Sequence, residues 1–587
     1  MGKVVPFTGA GISINAEFEG KRLADTDVMC KSIASELIKL YDNDKEEQVA
    51  KWCSSALKCK SHDKNMCKNE QQSLDQLCEV YTWVKGQDGF RSLVEDVLSI
   101  KDFNKLPPQS AHRYISFLAR EELIDEIITT NYDCCFEKAY RQTFQGEAEG
   151  VALVITDLDK YRKFSGKFYT NSGNRCLKIY KINGCAYELE HNSSYKPESI
   201  LLMERQLQNW RDRKWARDLF NDCLRSRTLV FSGFGSDEPQ VRHTALQIAE
   251  EFENTENNKV DNDGTSCWDF PNAPYIATYI DTLSFNQIQI LYAYAKAHKS
   301  CLNYDDIHSN VFTGVDAEFL GPNKHDDNEH NLSADLFWKK IYQAAFWRQF
   351  KKFCEQDSPF YAYLSPCIYP IDALLSKFKD WLAPDEKPFG SFPQLMQIDE
   401  DKGVTILTEW LYRIRYGWET FNEGLYLPLV EKPVLLPLVL LMLFFVAGNN
   451  DNWEDIKQMV DLENGLLTLN AIENLPIYLV HNTRLLDNIR LKKNIGCAII
   501  ICNNLREQAG VIRKNIDISE PNRKQSLKRK DRITIYKLPF RDIFCSGDVL
   551  PKDIDSLKRK FISSLEDVKL IITNARPRMK RRAKKIL

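Results

Sequence analysis

Two glycines one residue apart follow the apolar run Val4–Phe7, in the stretch Thr8-Gly9-Ala10-Gly11-Ile12-Ser13. A glycine turn between a strand and a helix lets the backbone approach a diphosphate, whose charge then meets amide N–H groups and the positive end of the helix. Glycine turns after strands are common, so this one alone identifies no ligand. Three further apolar runs end in polar residues suited to a site. Ile124–Ile128 runs into Thr129-Thr130-Asn131-Tyr132-Asp133, and Leu177–Ile182 into Asn183-Gly184. Thr228–Phe231 runs into Ser232-Gly233-Phe234-Gly235-Ser236-Asp237. In an open parallel sheet, ligands bind just outside the carboxyl ends of the strands, and these segments are predicted to converge there.

The elements that must hold them are legible as alternation. Strand-like runs at 4–7, 124–133, 177–184, 228–238 and 275–281 are separated by helix-like stretches, for example 207–225 and 240–252. That pattern predicts an α/β fold, a doubly wound, mostly parallel Rossmann-like sheet over residues 1–302. Residues 303–333, rich in Asp, Asn, Gly and His, read as a linker, and 334–587 as a C-terminal α+β domain. Its strand-like runs are 477–481, 498–502 and 533–537, and its amphipathic stretches are 337–353 and 405–418. The aromatics of the first stretch, Phe337, Trp338, Phe346 and Trp347, read as core or subunit interface.

These motifs, in this order, resemble the sirtuin (Sir2) family, in particular the bacterial Sir2-like domains that act as NAD hydrolases in antiphage defence. Gly9-Ala10-Gly11-Ile12-Ser13 matches the family's GAGxS turn, and Thr130-Asn131-Tyr132-Asp133 its Asn-x-Asp element. Lys181-Ile182-Asn183-Gly184 stands at its His-Gly step, and Phe231–Asp237 at its later glycine-serine ribose loop. Pro108 and His112 are similar to the helix preceding the Asn-x-Asp strand.

The resemblance implies NAD as substrate. Gly9, Ala10, Gly11, Ile12 and Ser13 would hold the diphosphate and adjacent ribose, with Thr130, Ser232, Gly233, Gly235 and Asp237 completing the cofactor site. Asp133 would bond the nicotinamide carboxamide, and Asn131 would position water or ribose at the anomeric carbon. Asn183 occupies the place of the catalytic histidine and cannot act as a general base at neutral pH. NAD hydrolysis is therefore implied rather than deacylation, since nicotinamide leaves as a neutral molecule and needs no general acid. The Asp-Phe-Arg element of deacylating sirtuins is absent, and Asn15–Arg22 stands in its place. The family's paired CxxC zinc module has no counterpart near 135–200, so no metal is expected.

Simpler readings of the same residues stand beside these. Asn131 could cap the following helix, and Asn183-Gly184 could be only a turn. His112, on an apolar helix face, reads as a core residue outside the site. Cys53, Cys59, Cys67 and Cys78 are separated by five, seven and ten residues, which suits buried thiols better than zinc.

Charge and composition limit the remaining classes. Lys plus Arg number 79 and Asp plus Glu 82, a net −3, so no dedicated nucleic-acid or membrane surface is implied. Seventeen scattered Cys fit a reducing cytoplasm better than a secreted disulfide framework. The apolar run 434–447 is 14 residues long, too short to span a bilayer. The tail 576–585 carries seven cations and no acid, and reads either as a nucleic-acid contact or as a solvated terminus. By the same resemblance, the C-terminal domain is expected to regulate the enzyme through homo-oligomerisation, a HerA-type ATPase or an Argonaute-like partner. Two alternatives remain open: a catalytically weak NAD- or ADP-ribose-binding sensor or scaffold, and a nucleic-acid-binding subunit.

Overall fold

The computed structural model describes residues 4–42, 47, 51, 73–144, 152–167, 176–207, 210, 213–235, 238–254, 275–277, 283–297, 311–312, 334–342 and 344–345, and, further on, 398–399, 401–405, 408, 460–461, 467–469, 477–480, 497–502, 510–517 and 530–539. The chain divides into two compact units, residues 1–342 apart from 171–174, and 343–587 together with those four.

The first unit is built on seven strands: β1 (Val4–Thr8), β2 (Glu126–Thr129), β3 (Ala152–Ile155), β4 (Leu177–Lys181), β5 (Thr228–Ser232), β6 (Tyr275–Ala277) and β7 (Val311–Phe312). Their order across the sheet is β3-β4-β2-β1-β5-β6-β7, and every pairing is parallel. The chain fills one side of β1 with β2 to β4, then crosses to the other side for β5 to β7. The loops leaving β1 and β5 therefore diverge at a topological switch point, where this class of sheet opens a crevice. β2 and β4 are buried along their whole length, as strands covered on both faces must be.

Helices α1 (Thr26–Asp42), α2 (Leu74–Lys85), α3 (Ser110–Arg120), α4 (Cys135–Gln142), α5 (Lys214–Ser226), α6 (Pro239–Asn254) and α7 (Phe285–Ala297) surround the sheet. Phe7 of β1 meets Phe220 of α5, Phe231 of β5 and Phe234 with ring centroids 4.9–5.2 Å apart. This aromatic cluster, extended by Val241, Ile248, Ile290 and Tyr294, joins the sheet to α5, α6 and α7. A second cluster, including Ile33, Leu37, Leu77, Tyr81, Val84, Leu93, Phe103 and Leu106, forms a separate helical layer with α1 and α2. The glycine turn after β1 leads into a single 3-10 turn (Ala10–Ile12) rather than a long helix, and α1 starts only at Thr26.

The segment 303–333, expected to be a linker, contributes β7, which extends the sheet beyond β6. Helical residues 334–342 also belong to the first unit, so the division lies after Tyr342 and not at 302. The physical reason is Trp338, which is fully buried and donates its indole N–H to Ser232 Oγ at 3.1 Å. Asp335 accepts a bond from the Ala111 amide at 2.5 Å, and Tyr342 packs on Tyr114 and Phe117 of α3.

In the second unit six strands form a mixed sheet in the order β12-β13-β11-β10-β9-β8, namely β8 (Val460–Asp461), β9 (Leu467–Leu469), β10 (Ile477–Val480), β11 (Cys497–Cys502), β12 (Gly510–Asp517) and β13 (Lys530–Pro539). β10, β11 and β13 lie where the sequence places strands, and they run parallel to one another. The apolar run 434–447, the basic tail 576–585 and Cys53, Cys59 and Cys67 lie outside the described residues. Cys78 is a buried thiol on α2. No helix of the described residues is long and apolar enough to cross a membrane.

Candidate functional site

A cavity of about 320 Å³ opens at the switch point, within the range of small-ligand sites. Its floor comes from the strand ends: Ala10 and Gly11 after β1, Thr130 to Asp133 after β2, Asn183 after β4, and Gly233 to Gly235 with Glu238 after β5. Thr26 and Met29 of α1, Leu74 of α2 and Phe103 close it from the helical layer.

The glycines serve mainly to bring two loops together. Gly9 and Gly11 donate their amides to the carbonyls of Ser232 and Gly233, at 3.1 and 2.8 Å. A Cβ on Gly9 would lie 2.8 Å from the Gly233 carbonyl oxygen. Gly233 has φ +61°, and a Cβ there would lie 2.2 Å from the Ile12 nitrogen. The amides of Ile12 and Ser13 turn inward to Gly9 and Ala10, so they are not offered to a ligand. Ala10 is the residue of this turn whose amide makes no hydrogen bond among the described residues, and it lines the cavity.

Ser13 holds the site from beneath. Its hydroxyl donates to Asp133 Oδ2 at 2.8 Å and accepts from Asn131 Nδ2 at 3.1 Å. His112 Nε2 lies 3.2 Å away, and His112 Nδ1 accepts the Gln109 amide at 3.1 Å. With Nδ1 an acceptor, the ring is the neutral Nε2–H tautomer and donates to Ser13. The hydroxyl thus uses its one proton and both lone pairs. Asn131, which lines the cavity, has its amide nitrogen fixed, while its carbonyl oxygen makes no hydrogen bond among the described residues. The carboxylate Oδ1 of Asp133 accepts the Cys135 amide at 3.0 Å. Burial works against the charge of Asp133, but His112, Lys181 and these two donors outweigh it, and its pKa lies below the usual carboxylate value.

Several expected placements change. Ser13 and Ser232 are buried and lie beneath the cavity rather than on its wall, since their hydroxyls are engaged by Asp133 and by Trp338. Gly9 and Ile12 are packing positions. Gly233 and Gly235 line the cavity, and Asp237 lies outside the described residues. The capping alternative for Asn131 does not hold, because its side-chain amide bonds Ser13 and the N-cap of α4 is Cys134. His112, read as outside the site, is tied to it through Ser13. The signal available was its place three residues after Gln109, the reciprocal cap that opens α3.

Glu238 was not singled out from the sequence. Its Oε1 accepts from Asn183 Nδ2 at 3.0 Å and its Oε2 from Gln240 Nε2 at 2.7 Å. Only its position at the entry to α6, after the β5 loop, could have marked it.

Two clusters of the described residues have metal-ligating types, His112–Asp133–Cys135 and Cys134–Glu137–Cys185. In the first, His112 has committed both nitrogens to Gln109 and Ser13, and Asp133 both oxygens to Ser13 and Cys135. In the second, a cation is already supplied: the buried Lys181 ammonium lies 2.8 Å from Glu137 and donates to the Asp133 carbonyl. Burial alone would drive this amine towards neutrality, yet the surrounding Cys134, Cys185, Glu137 and Asp133 raise its pKa well above the ordinary lysine value.

Two expected outcomes arise here. Ser13→Ala leaves Asp133 Oδ2, the His112 Nε2–H and the Asn131 Nδ2–H without their shared partner. It should destabilise the first unit by about 2–4 kcal/mol in denaturant unfolding. The buried His112 has its pKa lowered from 6.5 to about 4, chiefly by desolvation, while the unfolded chain keeps 6.5. The unfolded state therefore binds the proton first. Stability from this group is complete above pH 6.5 and is lost as pH falls towards 4, by about 3 kcal/mol in all. His112→Gln should flatten that part of a stability–pH profile; an unchanged slope would remove His112 as its source.

A parallel sheet with a glycine loop and a cavity at its switch point is a Rossmann-like α/β architecture. Residues 125–263 match the family model of the SIR2-like domain, and the chain accordingly carries such a domain. The match spans Asn131, Asp133, Asn183, Gly233 and Glu238, and the sheet sets the glycine turn of residues 9–13 directly beside it. This family is NAD-related, in accord with the motif reading. No curated protein gives a significant match to the chain.

Proposed function

We propose that the cavity binds NAD and that the protein hydrolyses its nicotinamide N-glycosidic bond, giving nicotinamide and ADP-ribose. The observation that carries this reading is Asn131. It lines the cavity, its amide nitrogen is fixed by a hydroxyl that is itself fully bonded, and its carbonyl oxygen makes no hydrogen bond among the described residues. Departure of neutral nicotinamide leaves cationic character on the ribose carbon. An oriented carbonyl dipole stabilises that charge or holds the water that meets it, with little reorganisation. Ala10 offers its backbone amide to the diphosphate, Gly11 and Gly233 line the cavity beside it, and Asp133 lies at the cavity wall as the group for the carboxamide.

Because unregulated NAD hydrolysis would exhaust the cell that makes it, we propose a controlled effector in antiphage defence, with the second unit as the controlling part. Control through homo-oligomerisation, a HerA-type ATPase or an Argonaute-like partner is proposed by family analogy, with the HerA-type ATPase placed first. Asn183, where the family has histidine, favours one other reading, a sensor that binds NAD or ADP-ribose without turnover. Incubating the purified chain with NAD, alone and with candidate partners, and separating the products decides between them. Nicotinamide and ADP-ribose are expected. Binding with NAD intact under every condition would leave the sensor reading.

A further inference from the structure

We infer that Lys181 is a positioning residue of this site: its buried ammonium keeps Asp133 an anion, and through Ser13 that charge decides which end of the Asn131 amide meets the reacting carbon. This rests on the hydrolase reading above and deepens it.

Lys181 ends β4 and is wholly buried. Its ammonium pairs with Glu137 of α4 at 2.8 Å, donates to the main-chain carbonyl of Asp133 and lies 3.6 Å from Cys134 Sγ. A cation is thus fixed against the loop that carries Asn131 and Asp133 from β2 to α4. Asp133 is 4% exposed, and a carboxylate so buried stays charged only where its lost hydration is offset. The groups that face it are Ser13 from the turn after β1, His112 from α3, Lys181 from β4, and Cys135 at the start of α4. At neutral pH His112 and the Cys135 thiol are uncharged, and Ser13 is a neutral donor. Lys181 is therefore the cation among them.

An ionised Asp133 has no proton to give, so the Ser13 hydroxyl donates to it, and the two Ser13 lone pairs take the His112 Nε2–H and the Asn131 Nδ2–H. A proton on Asp133 reverses this chain. Oδ1 is occupied by the Cys135 amide, so the proton sits on Oδ2 and donates to Ser13. Ser13 keeps one lone pair for His112 and needs an acceptor for its own proton. Asn131 supplies that acceptor only by turning its amide over. Its NH2 group then stands where the carbonyl oxygen was, with the wrong sign of charge for a carbon that is becoming positive.

The pH dependence of NAD turnover by the full chain tests this. Lys181→Met alone leaves Glu137 buried without its cation, so the deciding variant combines Lys181→Met with Glu137→Gln and removes both charges. Wild-type turnover is expected to stay flat from about pH 8 to about pH 5.5, because Asp133 remains ionised throughout. In the double variant no cation opposes burial. Its turnover should fall about 10-fold or more across that range, yet stay within about threefold of wild type at about pH 8. Glu137→Gln alone keeps the ammonium and should keep the flat profile. Asp133→Asn, whose amide donates to Ser13 as a protonated acid does, should be about 100-fold low at every pH.

Denaturant unfolding gives a readout that needs no turnover. The folded double variant takes up a proton at Asp133 that its unfolded chain, with an ordinary carboxylate, does not. Its midpoint should therefore approach that of the wild type as pH falls from about 8 to about 5.5. A folded double variant with a flat profile, or with turnover lowered equally at every pH as a purely structural loss gives, would overturn the inference and leave the hydrolase reading standing. A wild type that never consumes NAD would overturn that reading, and a gap between the two midpoints that fails to narrow would overturn the role of Lys181 as well.

Discussion

Asn131→Ala is expected to reduce NAD turnover by about 100-fold or more, a transition-state loss of about 2.7 kcal/mol, with NAD affinity changed only a few-fold. The asymmetry follows from geometry. The side chain uses its nitrogen on Ser13 and leaves its carbonyl without a partner among the described residues at the cavity it lines, so its removal withdraws the dipole that the proposed reaction places at the developing charge. The backbone bonds that fix residue 131 remain, since its amide is held by Thr129 Oγ1 at 3.1 Å. Asn131→Asp separates charge from orientation. A carboxylate cannot donate to Ser13 and would bring a second negative charge beside Asp133, so turnover should fall while the size of the side chain is preserved. Progress curves and NAD titrations on both variants check this, and wild-type turnover in Asn131→Ala would move the reaction away from β2.

Gly233→Ala is the second large effect. The residue has φ +61°, and its new Cβ would lie 2.2 Å from the Ile12 nitrogen and 2.6 Å from the Gly11 carbonyl carbon. These are backbone atoms, with no flexible side chain to move aside. The loops after β1 and β5 must part, breaking the bond from the Gly11 amide to the Gly233 carbonyl. A cost of about 3 kcal/mol or more is expected, together with loss of NAD binding if the variant folds. Gly166→Ala is the matched control, because a Cβ there meets nothing within 4 Å. Its unfolding midpoint should stay at the wild-type value, and equal stability of the two variants would show that the loop contact carries no strain.

These two positions also show what the sequence discloses and what it withholds. β1, β2, β4 and β5 were legible because strands buried on both faces read as continuous apolar runs. β3, whose exposure alternates at the sheet edge, and the two-residue β7 carry too little pattern to stand out. That Asn131, Asp133, Asn183 and Gly233 would come together around one cavity was legible because strand ends in a parallel sheet converge. Which hydroxyls face a ligand was not. Ser13 points inward because His112, 99 residues later in the chain, and Asp133 wait beneath it. Ser232 is covered by Trp338, 106 residues away, in a stretch that by composition belonged to the next domain. Long-range partners of this kind leave no local periodicity. Glu238, a single acid at a helix entry, became visible only when Asn183 and Gln240 were seen to converge on it.

The switch-point cavity as a site of NAD hydrolysis is tested most directly by one mass-spectrometric measurement. The full chain, with its activating partner where one is needed, is incubated with NAD in ¹⁸O-labelled water. The account expects nicotinamide and ADP-ribose in equal amounts, with one ¹⁸O at the anomeric position of the ADP-ribose, and no such product from Asn131→Ala. NAD recovered unchanged, or labelled product formed equally well by Asn131→Ala, would contradict it.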